Sequence, residues 1–190
     1  LFEPRKLPIQ LRQVSEYAVE LYQAPAGHYQ LESCQRYELL EHGTIQLTYE
    51  CTPRARTFAN DYIGLFWASY IHQPEDLSIR FPGFENVEGK STKDYPEPQM
   101  VRGVTPQHGT QATHRGKSDN RMFNHDTDFP LSLVFGYSRH RFDQPWYFGV
   151  SHSMGFAQIF RDNDLIRLTQ SPSGGGSGNP AWDFQYFVPK

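Results

Sequence analysis

An all-β fold, an antiparallel sandwich of two sheets with little helix, is what this sequence predicts, and three observations carry the prediction. The stretches Tyr62 to His72, Leu131 to Tyr137 and Trp146 to Val150 are aromatic and β-branched runs too apolar for surface strands, which suits the buried centre of a sheet structure. Around them, segments alternate apolar and polar residues with a period of two, the pattern of a strand with one wet face. Hardly any segment repeats its apolar residues at helical spacing. At 190 residues, with 14 Phe, 11 Tyr and 3 Trp, a single domain spanning 1–190 can bury a core large enough to stand without staples.

Taken in order, residues 1 to 8 carry two prolines and read as an irregular lead-in. Tyr17, Val19 and Leu21 alternate with Ala18, Glu20 and Tyr22 in a first strand that ends at Ala24 to Gly27. Tyr37 to Gln46 reads as a hairpin whose second arm points Ile45, Leu47, Tyr49 and Cys51 one way and Gln46, Thr48 and Glu50 the other. The run from Tyr62 is apolar on both faces, as a central strand would be. Leu77, Ile79 and Phe81 then alternate with Ser78 and Arg80 until Pro82 and Gly83 stop the strand. From Phe84 to about Asp128 the pattern gives way to an irregular polar segment in which only Met100 to Val104 has strand character. A stretch of that length suits a lid, a binding loop or disorder. Five strand candidates follow, 131–141, 146–152, 154–161, 164–170 and 182–188, and the short connection Arg161 to Asp164 implies antiparallel neighbours. Residues 171–180 are Gly-rich, fitting a long loop within one fold or a linker.

Hairpin register decides whether the two cysteines can meet. A two-residue turn at His42 and Gly43 places Cys34 directly opposite Cys51. A three-residue turn, Glu41 to Gly43 with Gly43 at positive φ, aligns Leu39 with Ile45 and Tyr37 with Leu47 on one face. Only the second keeps the apolar residues together, because a slip of one residue turns a strand's apolar set to the wrong face. Two free thiols are therefore expected, each a small buried apolar residue.

Composition excludes several classes of function. A net charge of −3 with both signs interspersed lacks the concentrated Lys and Arg of a nucleic-acid surface. No apolar run approaches the roughly 20 residues that cross a bilayer, so a soluble protein with neither nucleic-acid nor membrane partner is expected. The chain opens on Leu1 with no Met, as a processed product or a fragment would, and leaves the compartment open. His108, His114 and His125 lie in the polar segment, but no His-x-His pair occurs, so neither a metal site nor a cofactor is expected. No nucleophile elbow or catalytic Cys context is present either.

The chemistry that remains is polar and aromatic. Trp146, Phe148, Val150 and His152 share a face, so His152 ends an apolar row either as a core-capping histidine or as a general acid/base. Arg139, His140, Arg141 and Trp146 crowd one corner, where guanidinium groups can pair with carboxylates and an indole can stack on the C–H side of a sugar ring. The alternative is an exposed corner with salt bridges. Asp183 starts a strand opposite Trp182, as a base or as a turn cap. His72 reads as structural and Arg80 as solvated.

The long aromatic-rich strands, the exit Tyr70 to Pro74 and the Gly-rich loop before Trp182 to Tyr186 resemble galactose-mutarotase-like β-sandwiches. That resemblance, of texture over the whole chain, implies a supersandwich-like double sheet with a His and an acidic residue on a concave face, and the chain is short for a complete member. The expectation is a carbohydrate-binding or carbohydrate-processing domain. His152, His140 and Asp183 would transfer protons, as in an epimerase or lyase, and Arg139, Arg141 and Trp146 would hold the saccharide. The alternative is a structural or assembly domain whose aromatics are core. Thiol titration of the denatured, unreduced protein checks the hairpin register: two reactive thiols are expected, and none would mean a disulfide and the other register.

Overall fold

A computed structural model describes residues 6–60, 62–85, 97–104, 111, 113–122, 136–172 and 180–189. Among them the chain is all-β, with two sheets paired mostly antiparallel and one short 3-10 turn. No helix of the described residues is long and apolar enough to cross a membrane. The strands gather into two compact units, Leu1–Tyr62 and Ile63–Lys190.

The first unit is a four-stranded sheet in chain order, β1 (Gln10–Gln13), β2 (Ala18–Gln23), β3 (Leu31–Leu39) and β4 (Ile45–Pro53). Its hairpin takes the three-residue turn: Leu39 pairs with Ile45 and Tyr37 with Leu47, Leu40 N–H donates to Thr44 O at 2.7 Å, and both His42 and Gly43 adopt positive φ. Cys34 accordingly faces Glu50 across the ladder and Cys51 faces Ser33, which turns the two thiols to opposite sides of the sheet. Both are free, each half-buried rather than buried as expected, and partial burial pushes each thiol pKa up. The same register sorts the sheet by chemistry. Leu11, Leu21, Val19, Tyr37 and Leu47 fall on one side, while Arg12, Glu20 and Arg36 align on the other, with Arg36 bridging Glu20 and Glu38. Much of the apolar side is open: Leu11 is 71% exposed and Ile45 65%.

The second unit holds β5 (Tyr62–Trp67), β6 (Ser78–Glu85), β7 (Gln99–Val104), β8 (Thr113–Gly116), β9 (Tyr137–Phe142), β10 (Trp146–Ser151), β11 (Met154–Ile159), β12 (Ile166–Pro172) and β13 (Pro180–Pro189). They form one sheet in the order β11-β10-β6-β9-β8-β12-β13-β5, with β7 also on β6. The β8–β9 pair is parallel. β6 turns the sheet back on itself. One edge carries β7, and the other is shared by β10, at Arg80, and by β9, from Gly83 to Glu85. Pro82 sits where the neighbour changes, so its missing N–H falls at the break in the ladder, and its carbonyl accepts Asp143 N–H at 2.8 Å. Pro82 and Gly83 thus do not stop the strand as expected.

The two ends of this sheet meet around Trp182, which is fully buried. Tyr147 donates its hydroxyl to Trp182 O at 2.8 Å, Phe156 lies 6.4 Å from the indole, and Ile79, Phe81, Phe142, Ile166 and Leu168 complete the cluster. A Cβ built at Gly149 falls 2.3 Å from the indole ring, so β10 approaches Trp182 closely only because position 149 lacks a side chain.

Several expectations are corrected. β10 faces the other way: Tyr147 and Gly149 are the buried pair, while Trp146 and Phe148 are half-buried and Val150 is exposed. Tyr62 to His72 is not central, since β5 stops at Trp67 at the end of the strand order and only Tyr70 makes a further bridge, to Ala181. β11 and β12 are not neighbours; the Arg161–Asp164 connection crosses between the facing ends of the sheet. The polar segment contains a strand at His114, β8, beside the anticipated β7. The run 131–135, His108, His125 and most of the Gly-rich loop lie outside the described residues.

The Gly149 contact is testable. Gly149→Ala is expected to cost about 1–3 kcal/mol in urea unfolding, the range for overpacking a filled core. Gly155→Ala, in the neighbouring strand with nothing within 4 Å of the added methyl, should leave the midpoint nearly unchanged.

Candidate functional site

The six sequence-nominated residues are held in separate places. His152 and Ser153, both at positive φ, form the two-residue turn between β10 and β11, the conformation of a type I′ hairpin. His152 N–H donates to Glu75 Oε2 at 2.8 Å, and its Nε2 lies 3.0 Å from His72 O. The backbone N–H bonds, including that from His152, hold the Glu75 carboxyl below its ordinary pKa. His140, on β9, is half-buried, and burial, helped by the Arg139 charge, lowers its pKa. Asp183 is buried on the side of β13 opposite Trp182, opposite Thr169 in the ladder, and accepts Ser69 N–H at 2.7 Å. These partners give His152 and Asp183 local structural tasks, and no hydrogen bond or ion pair joins His152 to His140 or Asp183 among the described residues.

The arginines separate in the same way. Arg139 is exposed and bridges Glu85 at 3.3 Å. Arg141 is buried and clamps the turn after β8, donating to Gly116 O, Asp119 O and Asn120 Oδ1 at 2.9–3.0 Å. The β8–β9 register is irregular between Tyr137 and Arg141, stepping two residues on β8 against four on β9, and Arg139 falls within it. The neighbouring Arg167 is held two-pronged by Asp119, at 2.7 and 3.3 Å, in a buried ion pair.

His114, the metal candidate within the described residues, is likewise engaged. Gln170 Nε2 donates to Gly103 O at 2.9 Å, so its Oε1 faces His114 Nε2 at 2.9 Å as an acceptor. His114 must then carry its proton on Nε2. Among the described residues no group of three His, Cys, Asp or Glu side chains could hold a metal ion.

What the structure does bring together is an exposed face. With β10 turned outward, the ladder places Ala157, Phe148, Arg80 and Arg102 in one row across β11, β10, β6 and β7, with Ile159 and Trp146 paired in the next row of β11 and β10. Trp146 and Phe148 have nearly parallel rings, 23° apart with centroids at 6.4 Å. Trp146 is steadied by its indole N–H, which donates to Gln144 Oε1 at 2.9 Å. The Arg80 guanidinium lies 6.0 Å from the Phe148 centroid. Arg80 and Arg102 stand directly opposite one another, an unfavourable arrangement for like charges, and Asp76 lies between them, accepting from Arg80 at 2.8 Å and Arg102 at 3.0 Å. The Ser78 hydroxyl bond, with these guanidinium groups, holds the Asp76 carboxyl far below its usual range.

Of this face the sequence nominated Trp146 alone. Arg80 occupies the polar phase of an alternating strand, but which strands pair is not written in the alternation, so its meeting with Arg102 leaves no signal in the sequence.

Buried His114 gives the protein a pH signature. Burial lowers its pKa to about 4, against about 6.5 in an unfolded chain. Between these values the unfolded state binds the extra proton, so stability falls as pH drops through this window. The loss between pH 7 and pH 5 is expected to be about 2 kcal/mol. Urea unfolding of His114→Gln should show a shallower fall than the wild type over the same range; equal slopes would mean that His114 is charged in the folded protein.

Comparison with protein-family models, with curated proteins and with solved structures yields no match.

Proposed function

We propose that this chain is a carbohydrate-binding β-domain whose contact surface is the exposed face centred on Trp146 and Phe148. The observation that carries the reading is the pair of nearly parallel, half-buried aromatic rings on the sheet, bordered by arginines. A ring with one open side offers an electron-rich surface to the C–H bonds of a sugar, and two such rings at adjacent same-side positions of a strand are spaced by the ladder rather than by flexible side chains. Guanidinium groups at the border add directed donors for hydroxyl or acid oxygens. The proton-transfer form of the expectation has less support, since His152 and Asp183 are engaged elsewhere and no bond links them to His140 among the described residues.

A second reading, a structural or assembly domain, is favoured by the open apolar side of the four-stranded sheet, where Leu11, Leu39 and Ile45 are each at least half exposed. Glycan-array screening followed by titration calorimetry separates the two. Binding of at least one glycan, weakened roughly tenfold or more in Trp146→Ala and in Phe148→Ala, is expected, since base or sugar stacking on a ring carries energies of this order. No binding to any neutral or acidic glycan would remove the saccharide reading and leave assembly.

A further inference from the structure

We infer that Arg80 and Arg102 form an anion subsite next to the Trp146–Phe148 pair, so that the saccharide recognised is an acidic one bearing a carboxylate or sulfate. The inference rests on the saccharide reading above and deepens it. The argument begins with the ladder. Arg80 of β6 and Arg102 of β7 are direct cross-strand partners, and Phe148 of β10 is the partner of Arg80 on its other edge. Three side chains therefore line up in the order ring, guanidinium, guanidinium on one side of the sheet.

Two cations placed opposite each other repel, and the single carboxylate between them, Asp76, leaves the cluster with a net positive charge. Each arginine gives one terminal nitrogen to Asp76, and among the described residues neither guanidinium has another hydrogen-bonded partner. Asp76 is itself fixed by Ser78 N–H at 2.9 Å and by the Ser78 hydroxyl. It stays ionised and acts as a post that orients both guanidinium planes. Planar forks with remaining N–H donors match the oxygen pair of a carboxylate or sulfate. Arg102 is 58% exposed and Arg80 31%, so a ligand can reach them from the side on which Trp146 and Phe148 are open. A sugar ring seated on the aromatic pair would carry its acid group onto the arginines within the same or the next residue of a glycan.

The test uses the full chain and three acidic polymers, polygalacturonate, alginate and chondroitin sulfate, each beside a neutral counterpart made by carboxyl reduction and, for the last, desulfation. At least one acidic polymer is expected to bind roughly tenfold or more tightly than its neutral counterpart, with the difference shrinking as NaCl rises from about 0.05 to 0.5 M. Arg102→Gln, an exposed change, should bring the acidic and neutral forms within about twofold of each other while Trp146→Ala weakens both alike. Equal binding of both forms by the wild type, with Trp146→Ala still weakening it, would overturn the anion subsite and leave saccharide binding standing. A preference that survives in Arg102→Gln would overturn the assignment to this pair. Absence of binding to every polymer, together with silence on the glycan array, would overturn both.

Discussion

The contact on which the second unit depends is the one between Trp182 and Gly149. A sheet of this many strands needs a reason to bend back, and here the reason is that the indole of β13 can be buried only if β10 arrives with no side chain in its way. Tyr147, two residues earlier, fixes the approach by donating to the carbonyl of the same tryptophan. Backbone spacing and a hydrogen bond from the same strand thus determine where the other end of the sheet lies. β6 makes the bend possible by giving one edge to two successive partners, with a proline at the changeover.

Polar side chains inside this unit act mainly as ties. His114 and Gln170 form a chain ending on the Gly103 carbonyl, which joins β8, β12 and β7 without leaving the Gln170 amide unmatched. Arg167 and Asp119 neutralise each other away from solvent, and Tyr137 OH and Arg121 O take further guanidinium hydrogens. A buried pair of this kind adds little net stability against an apolar replacement, but losing one partner strands a charge. Arg141 plays the same part toward the turn after β8. Polar groups that look like chemistry in a linear sequence are here occupied in closing loops.

This explains how much could be read from the sequence. The hairpin register was legible, because the apolar residues of both arms coincide in one alignment and separate in the other, and that alignment also kept Cys34 from Cys51. The β class was legible from the same period of two. Alternation, however, names two faces without saying which is inward. In β10 the longer aromatic row, Trp146 and Phe148, is the outer one, and the inner row is Tyr147 with a glycine, whose importance comes from an indole 33 positions later in the chain. β5 is as apolar as a central strand yet ends the order, since apolar content records burial by any neighbour and not position in a sheet. The arginine pair is the extreme case: Arg80 reads as solvated in isolation, and only strand pairing with Arg102 makes the two a unit.

The position of Trp182 in the chain carries a consequence for biosynthesis. β13 follows every other strand of its sheet, so a nascent polypeptide emerging from the ribosome exposes Ile79, Phe81 and Tyr147 before the residue that covers them exists. Until then those strands offer open apolar edges to any neighbour, the condition under which chaperones are recruited and premature pairing occurs. Completion of the sheet is therefore a long-range event that joins residues far apart in the chain, the kind of pairing that forms slowly.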